Sequence, residues 1–298
     1  PMTPMKLFAT ILLGAATLLA LPAAAQEATL PSPDAKTIGM GGVEMTALSG
    51  SHAIYGNAAA AVFSQMPSQV STSYYAPGDA DYYAVSGMCR FDNTNLAQIG
   101  WRQYLRERGN NDMAVDAGYS RRLGERWAMG AVGRYLRVKR PGSSDDALAV
   151  DLSVAYRRPL ELGSSYSTLR AGARLANLGG YLGSSGRTLP ADLTAGAALD
   201  SYLTDAHQIT VGLDAGYRFA PSAARGFHLS AGVEYNLMQL FQLRAGYHYG
   251  ERSAYDPSYA SVGAGIRILH LRLDFAYQFA QRHSPLGNSY GISCGLDF

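Results

Sequence analysis

The sequence predicts an all-β protein, a transmembrane antiparallel β-barrel of about 14 strands closed around a short N-terminal plug. Three observations predict it. The N-terminus has the form of an export signal, the chain from Gln69 onward alternates with period two, and the composition is rich in tyrosine and glycine but poor in charge.

Lys6 supplies positive charge ahead of an almost unbroken apolar run from Leu7 to Leu21, and Ala23-Ala24-Ala25 places small residues where a signal peptidase reads. Cleavage is expected before Gln26, so residues 1–25 are read as a signal peptide. The run is shorter than the ~20 residues a membrane-crossing helix needs. The chain carries 20 Tyr and 33 Gly, and only 16% of its residues are charged. A soluble domain usually has about 25%. Low charge and abundant tyrosine suit strands with one face in lipid and aromatic side chains at the interfaces. Export, strands and tyrosines together place the protein in the outer membrane, with its lipids as first partners. A net charge of +2 gives no reason to expect nucleic acid. Cys89 and Cys294 fall inside predicted strands and are read as small apolar residues, although export leaves a disulfide between them open. No Cys or His spacing suggests a metal or redox site, and no cofactor is expected.

Fourteen alternating segments are legible, at about 68–76, 81–91, 95–104, 112–122, 126–138, 147–158, 167–177, 189–199, 206–219, 225–236, 240–250, 258–268, 271–281 and 288–298. In one, Leu271, Leu273, Phe275, Tyr277 and Phe279 face one way and Arg272, Asp274, Ala276, Gln278 and Ala280 the other. Most are long enough for the ~9–11 tilted residues of a membrane strand, and an even count leaves both barrel ends on one side of the membrane. With the N-terminus in the periplasm, the outward connections (106–111, 139–146, 179–188, 251–257, 282–287) are longer than most inward ones (92–94, 123–125, 237–239, 269–270); the stretch 159–167 is a long exception. The last strand ends on Phe298, an aromatic terminus of the kind outer-membrane assembly machinery commonly recognises.

The apolar face of these strands ends repeatedly in Tyr or Phe. The other face carries Asp116, Asp151, Asp214, Glu234 and Asp274 with Arg134, Arg170, Arg174, Arg218, Arg244, Arg267 and Arg272, which are expected to pair across strands inside the lumen because unpaired charges away from water are costly. Residues 26–67 differ in character and are read as the plug, with residues 68–298 as the barrel. Their small side chains let a backbone approach the barrel wall. Gly39, Met40, Gly41, Gly42, Ile54, Tyr55 and Asn57 are the candidate plug or ligand contacts. The glycines precede no strand–helix unit and no Gly-Lys-Ser/Thr, so a phosphate loop is not expected.

The Gly39-Met40-Gly41-Gly42-Val43 and Ala53-Ile54-Tyr55-Gly56-Asn57-Ala58-Ala59 runs resemble the opening of the PorV/PorQ family, within the FadL-like group of fourteen-stranded barrels. Ala58 stands where that family usually has proline. Leu175-Ala176-Asn177-Leu178-Gly179, Leu189-Pro190, Gly232-Val233-Glu234-Tyr235 with Leu243-Arg244-Ala245-Gly246-Tyr247, and Leu273-Asp274-Phe275-Ala276-Tyr277 extend the resemblance from about Ala35 to Phe298. The resemblance implies an accessory subunit of an outer-membrane protein machine. PorV works in type IX secretion, receiving the C-terminal signal domain of cargo, and PorQ-like members act at surface attachment. The first expectation is therefore a non-enzymatic scaffold subunit of a secretion or assembly complex, with another outer-membrane barrel or machine subunit as partner. The alternative is a FadL-like transporter of hydrophobic small molecules, which needs an apolar cavity that Met40, Val43, Met45, Ile54, Tyr55, Val62 and Phe63 would line. An open porin would need the lumen charges unpaired. An enzyme is not expected: the histidines His52, His207, His228, His248, His270 and His283 are scattered, and no nucleophile motif surrounds a serine.

Overall fold

The computed structural model describes residues 32–46, 50–78, 80–106, 109–162, 165–183, 188–251, 255–280, 284 and 286–298. The expected signal peptide and its cleavage point, and His283, lie outside the described residues. Fourteen antiparallel strands form one closed barrel in sequence order, with β1 pairing β14. The strands are β1 (Ser68–Ala76), β2 (Asp81–Arg90), β3 (Asn95–Leu105), β4 (Asn111–Arg122), β5 (Trp127–Arg140), β6 (Ser143–Leu162), β7 (Ser165–Tyr181), β8 (Asp192–Thr204), β9 (His207–Arg218), β10 (Gly226–Leu237), β11 (Phe241–Gly250), β12 (Tyr259–Ile268), β13 (Leu271–Ala280) and β14 (Ser289–Asp297). Closure removes every sheet edge, which an apolar bilayer requires because it offers no partner to a free N–H or C=O.

Alternation decides which way each side chain points. In β5 the even positions from Ala128 to Val138 are buried, while Trp127 and Met129 are exposed. Exposed aromatic residues collect at two levels. Tyr119, Trp127, Tyr202 and Phe241 lie toward the end where β1 begins and β14 ends; Tyr83, Tyr217, Phe227, Tyr249, Phe279 and Tyr290 lie toward the other. From Trp127 to Tyr135 the strand covers roughly 27 Å at ~3.4 Å per residue, and a tilt near ~40° reduces that to roughly 20 Å along the axis, the scale of an outer-membrane apolar band. Cys89 and Cys294 are unpaired, on strands that flank β1 on opposite sides.

Three places differ from the sequence reading. The long inward connection expected at 159–167 is absent, because β6 and β7 stay paired down to Leu162 and Ser165. The outward connection expected at 139–146 likewise shrinks to a turn at Pro141 and Gly142, where Gly142 has φ +80. β8 begins at Asp192 rather than 189. Pro190 has no N–H to pair, and Leu189 instead turns inward, only 2% exposed, against Ala114, Leu136, Val138, Ala147 and Ala149.

The β6–β7 register shifts between Val150 and Leu152 opposite Asn177, whose φ is +57. Asparagine tolerates that conformation better than most residues. Here its three polar groups are all used: its N–H donates to Asp151 (2.6 Å), its amide nitrogen donates to the Pro190 carbonyl (2.9 Å), and its amide oxygen accepts from Arg134 (2.5 Å).

Candidate functional site

Residues 34–46 and 50–63 lie inside the barrel. A short helix, α1 (Ala35–Gly39), is capped by Asp34, whose carboxylate accepts from the Thr37 N–H at 3.1 Å. Two 3₁₀ segments follow, Gly50–Tyr55 and Ala58–Phe63, with most of their residues buried. The plug reaches the wall because both sides are small. Gly41 has φ +67, and a Cβ on Gly246 of β11 would collide with its nitrogen; a Cβ on Gly232, paired with Gly246 across β10–β11, would collide with the Met40 carbonyl. Backbone lies on backbone there, so neither side can yield.

Hydrogen bonds fix the rest. The Tyr55 hydroxyl donates to the Val85 (2.7 Å) and Trp101 (3.1 Å) carbonyls, and the Arg102 guanidinium sits 4.6 Å from its ring centre. Asn57 donates to the Met45 (2.9 Å) and Val154 (3.0 Å) carbonyls. Gln98 and Ser120 donate to the Ala58 carbonyl, and Ser153 accepts from the Ala59 N–H. Ser261 and Ser293 accept from the Gly41 and Ala35 N–H groups. His52 is buried between Ser73 (2.5 Å) and Ser86 (2.6 Å), and burial pushes its imidazole down to about 4, so it is neutral near pH 7.

The lumen charges fall into separate clusters. Asp116 accepts from Arg102 (3.1 Å) and Arg134 (2.6 Å), and Arg134 also reaches Asp151 at 2.9 Å. Arg244 bridges Glu234 and Asp274, each at 2.5 Å, with Lys36 of the plug 3.6 Å from Glu234. Arg170 pairs Asp200, and Arg272 pairs Asp297. Arg174 joins wall to plug: it donates to the Tyr55 (2.6 Å) and Gly56 (2.9 Å) carbonyls and to Glu44 (2.7 Å). Three expected members behave differently. Asp214 carries no described arginine pair; it accepts the Glu44 (2.7 Å) and Met45 (2.9 Å) N–H groups, because the plug backbone lies nearer than any guanidinium. Arg218 lies 3.8 Å from Asp256 and donates to the Tyr255 carbonyl at 3.4 Å. Arg267 is exposed at the end where β1 begins and β14 ends, where water screens it. The partners Arg102, Asp200, Asp297, Lys36 and Glu44 were not singled out by the sequence, although their lumen-side register on strands, or their place in the plug, was the available signal.

Two cavities flank the plug and share no lining residue. The upper one, about 600 Å³, has Gly42 and Glu44 in its floor and His228, His248, Asp192 and Asp256 in its wall. The lower one, about 320 Å³, is lined by Lys36, Arg170, Arg244 and Arg272 among others. Of the plug residues offered as ligand contacts, Gly42 and Tyr55 reach the upper cavity. Met40, Val43, Met45 and Ile54 are buried in the seat itself, and Gly39 packs on Gly263. Val62 and Phe63 lie toward the lower mouth.

The fold also assembles a serine beside a histidine, which the sequence did not reveal. Ser230 lies 2.9 Å from His248 Nδ1, and His248 Nε2 lies 2.7 Å from Asp256. Ser230 is only 2% exposed, and Gly42 covers it so closely that a Cβ there would sit 3.0 Å from its hydroxyl. Ser230, His248 and Asp256 all line the upper cavity, and the bonds among them tie β10 and β11 to the loop that carries Asp256. His228 pairs Asp192 at 2.8 Å beside it.

Comparison with known proteins bears on this geometry. Residues 91–225, from the turn before β3 to the start of β10, match the family model of the type IX secretion system protein PorV. The matched stretch is somewhat less than half of the chain, and over it the chain resembles that family. The glycine-rich plug motif that first suggested this lies outside the matched stretch. The PorV-like barrel also shares its fold with solved structures. The Ralstonia pickettii toluene transporter TbuX aligns with TM-score 0.58 at 13% identity, covering 92% of this chain and 99% of that one. A Pseudomonas aeruginosa FadL homologue aligns with TM-score 0.56 at 13% identity over 90% and 99%. The Pseudomonas putida toluene transporter TodX aligns with TM-score 0.58 at 13% identity over 91% and 98%. At such identities the likeness speaks for the fold. No curated protein sequence matches the chain.

Proposed function

We propose that the PorV-like barrel is a non-enzymatic accessory subunit of an outer-membrane protein secretion complex of the type IX kind, or of a related assembly complex. The observation that carries the reading is the locked lumen. The plug is bonded to strands around the barrel, most lumen guanidiniums are matched by carboxylates, and the two cavities are separated by the plug. A barrel closed in this way would work through its surfaces, and the likeness of residues 91–225 to a type IX secretion protein supports secretion as the setting.

Transport of a hydrophobic molecule is the alternative suggested by the toluene transporters of like fold. Two features weigh against it. Most apolar plug residues are used in seating, and the upper cavity sets Asp192, His228, Asp256 and Arg218 among its tyrosines, Ile38 and Leu286 rather than offering a wholly apolar pocket.

The test is a tagged pull-down from native outer membranes in mild detergent, with mass spectrometry of protein and lipid. Stoichiometric recovery of another large barrel or of secreted cargo is the expected result. Recovery of the monomer alone with a defined hydrophobic ligand overturns the reading in favour of transport.

A further inference from the structure

We propose that the mouth at the end where β1 begins and β14 ends is a docking site for an acidic polypeptide segment of a periplasmic partner. This deepens the accessory-subunit reading and rests on it for the existence of a partner. A cavity of about 530 Å³ opens there, lined by Arg90, Arg122, Arg126 and Arg157, with Phe63 in its wall and Glu125 the carboxylate among its lining residues.

These guanidiniums differ from those deeper in the lumen. Arg134, Arg170, Arg244 and Arg272 each face a carboxylate. At the mouth the anchors are carbonyls. Arg90 donates to the Val62 (3.0 Å) and Ser64 carbonyls, and Arg122 donates to the Gly124 (2.8 Å) and Glu125 (3.1 Å) carbonyls. A carbonyl fixes a guanidinium in place without cancelling its charge. Among the described residues none of the four lining arginines forms an ion pair with a carboxylate. The nearby Asp92 is occupied by its own turn, where it accepts from the Thr94 and Asn95 N–H groups, each at 2.7 Å. The mouth therefore holds several positive charges, two of them already oriented, beside an apolar wall. Carboxylates are the natural complement, because guanidinium binds them in a bidentate fork.

Register argues for a polypeptide over a lipid headgroup. Arg90, Arg122 and Arg157 continue the lumen-side register of the buried Ser86, Ser120 and Ser153. The bilayer side of the same region is marked by the exposed Trp127 packed on Tyr156, with ring centres 4.8 Å apart. The charges thus point along the barrel axis, away from the membrane.

The experiment uses the purified full-length barrel in detergent and two fluorescein-labelled peptides, one alternating Glu and Gly, the other Gln and Gly, read by anisotropy. The barrel should bind the Glu peptide, more weakly as salt rises, and the Gln peptide should bind roughly tenfold or more weakly. The double variant Arg126→Glu/Arg157→Glu alters two side chains that make no described hydrogen bond, so its compact band on unheated gels should be kept. It should weaken Glu-peptide binding by roughly tenfold or more. Equal binding of both peptides, unchanged binding by the folded double variant, or charge-dependent binding only to phosphatidylglycerol vesicles overturns the proposal. The native pull-down separates the two readings. A partner recovered equally by wild type and double variant sinks the docking site and leaves the accessory role; Glu-selective peptide binding with no partner recovered supports the site and removes that role.

Discussion

Replacing Arg174 by Met should loosen the plug measurably while leaving it seated. Its guanidinium makes bonds of 2.6, 2.9 and 2.7 Å to the Tyr55 carbonyl, the Gly56 carbonyl and Glu44, with the side chain 12% exposed. Methionine keeps much of the stem volume, so the loss is mainly polar. A net contribution of about 1 kcal/mol for each bond, with Glu44 partly resolvated at 20% exposure, gives a loss of about 3 kcal/mol. For a chain of this size that corresponds to a fall of roughly 6–12 °C in the temperature at which the compact gel band converts to the unfolded one. Arg174→Lys, which can keep the Glu44 contact but not the fork onto two carbonyls, should fall between. Asp214, Gln98 and Ser153 hold the plug independently, so neither variant should conduct in planar bilayers. A shift for Arg174→Met below ~2 °C would refute the argument, because it would mean that water already shares these bonds.

Gly246→Ala should do what Arg174→Met does not. Its Cβ meets plug backbone, the misfit costs about 1–3 kcal/mol or more, and protease cleavage near residues 40–46 or intermittent conductance should appear. His52 should make the plug acid-sensitive in a defined direction. Its folded value of about 4 lies below the ordinary 6.5, so the unfolded state binds the extra proton; stability falls as pH drops from about 6.5 to about 4 and then levels off, by about 3 kcal/mol in all. Melting of His52→Asn should lack that increment relative to wild type between those pH values. A fluorophosphonate probe should leave Ser230 unmodified, and mass-spectrometric detection of the adduct would reopen an enzymatic reading.

The barrel was legible because its signal repeats. Each strand such as Leu271–Ala280 states its two faces residue by residue, and fourteen repetitions outweigh errors at any one boundary. The boundaries that moved are those where a local feature broke the period: Pro190, which cannot pair, and the β6–β7 hairpin, whose polar tip reads like a loop although it remains hydrogen-bonded. The site was legible by type and not by pairing. Lumen register placed Arg134 and Arg244 correctly on the inner face, but which carboxylate each meets depends on strand neighbours and on the plug path. Asp214 shows the limit: its alternation matches that of Asp274, yet one binds plug amides and the other a guanidinium. The contact between Ser230 and His248 was invisible because it joins neighbouring strands whose register no local motif encodes.

The energetics of the plug bear on what the protein can do. Among the described residues at least ten hydrogen bonds join plug and wall, including Ala35–Ser293, Gly41–Ser261, the Asp214, Tyr55, Asn57, Gln98, Ser120 and Ser153 contacts, and Arg174. Even at half of about 1 kcal/mol each, the seated state is favoured by ~5 kcal/mol, a factor of several thousand. Spontaneous opening is then too rare to serve as a channel. A ligand could open it only by binding the open state better than the closed one by a comparable amount. A protein partner engaging several mouth or plug groups at once has the contact area to supply that difference. A small molecule in the upper cavity touches only Thr37, Ile38, Gly42, Glu44 and Tyr55 among the described plug residues of 34–63 and so has few contacts with which to shift it. On this physical ground the plug is a fixed part of the barrel, and under the proposed accessory role any motion it makes should be coupled to assembly.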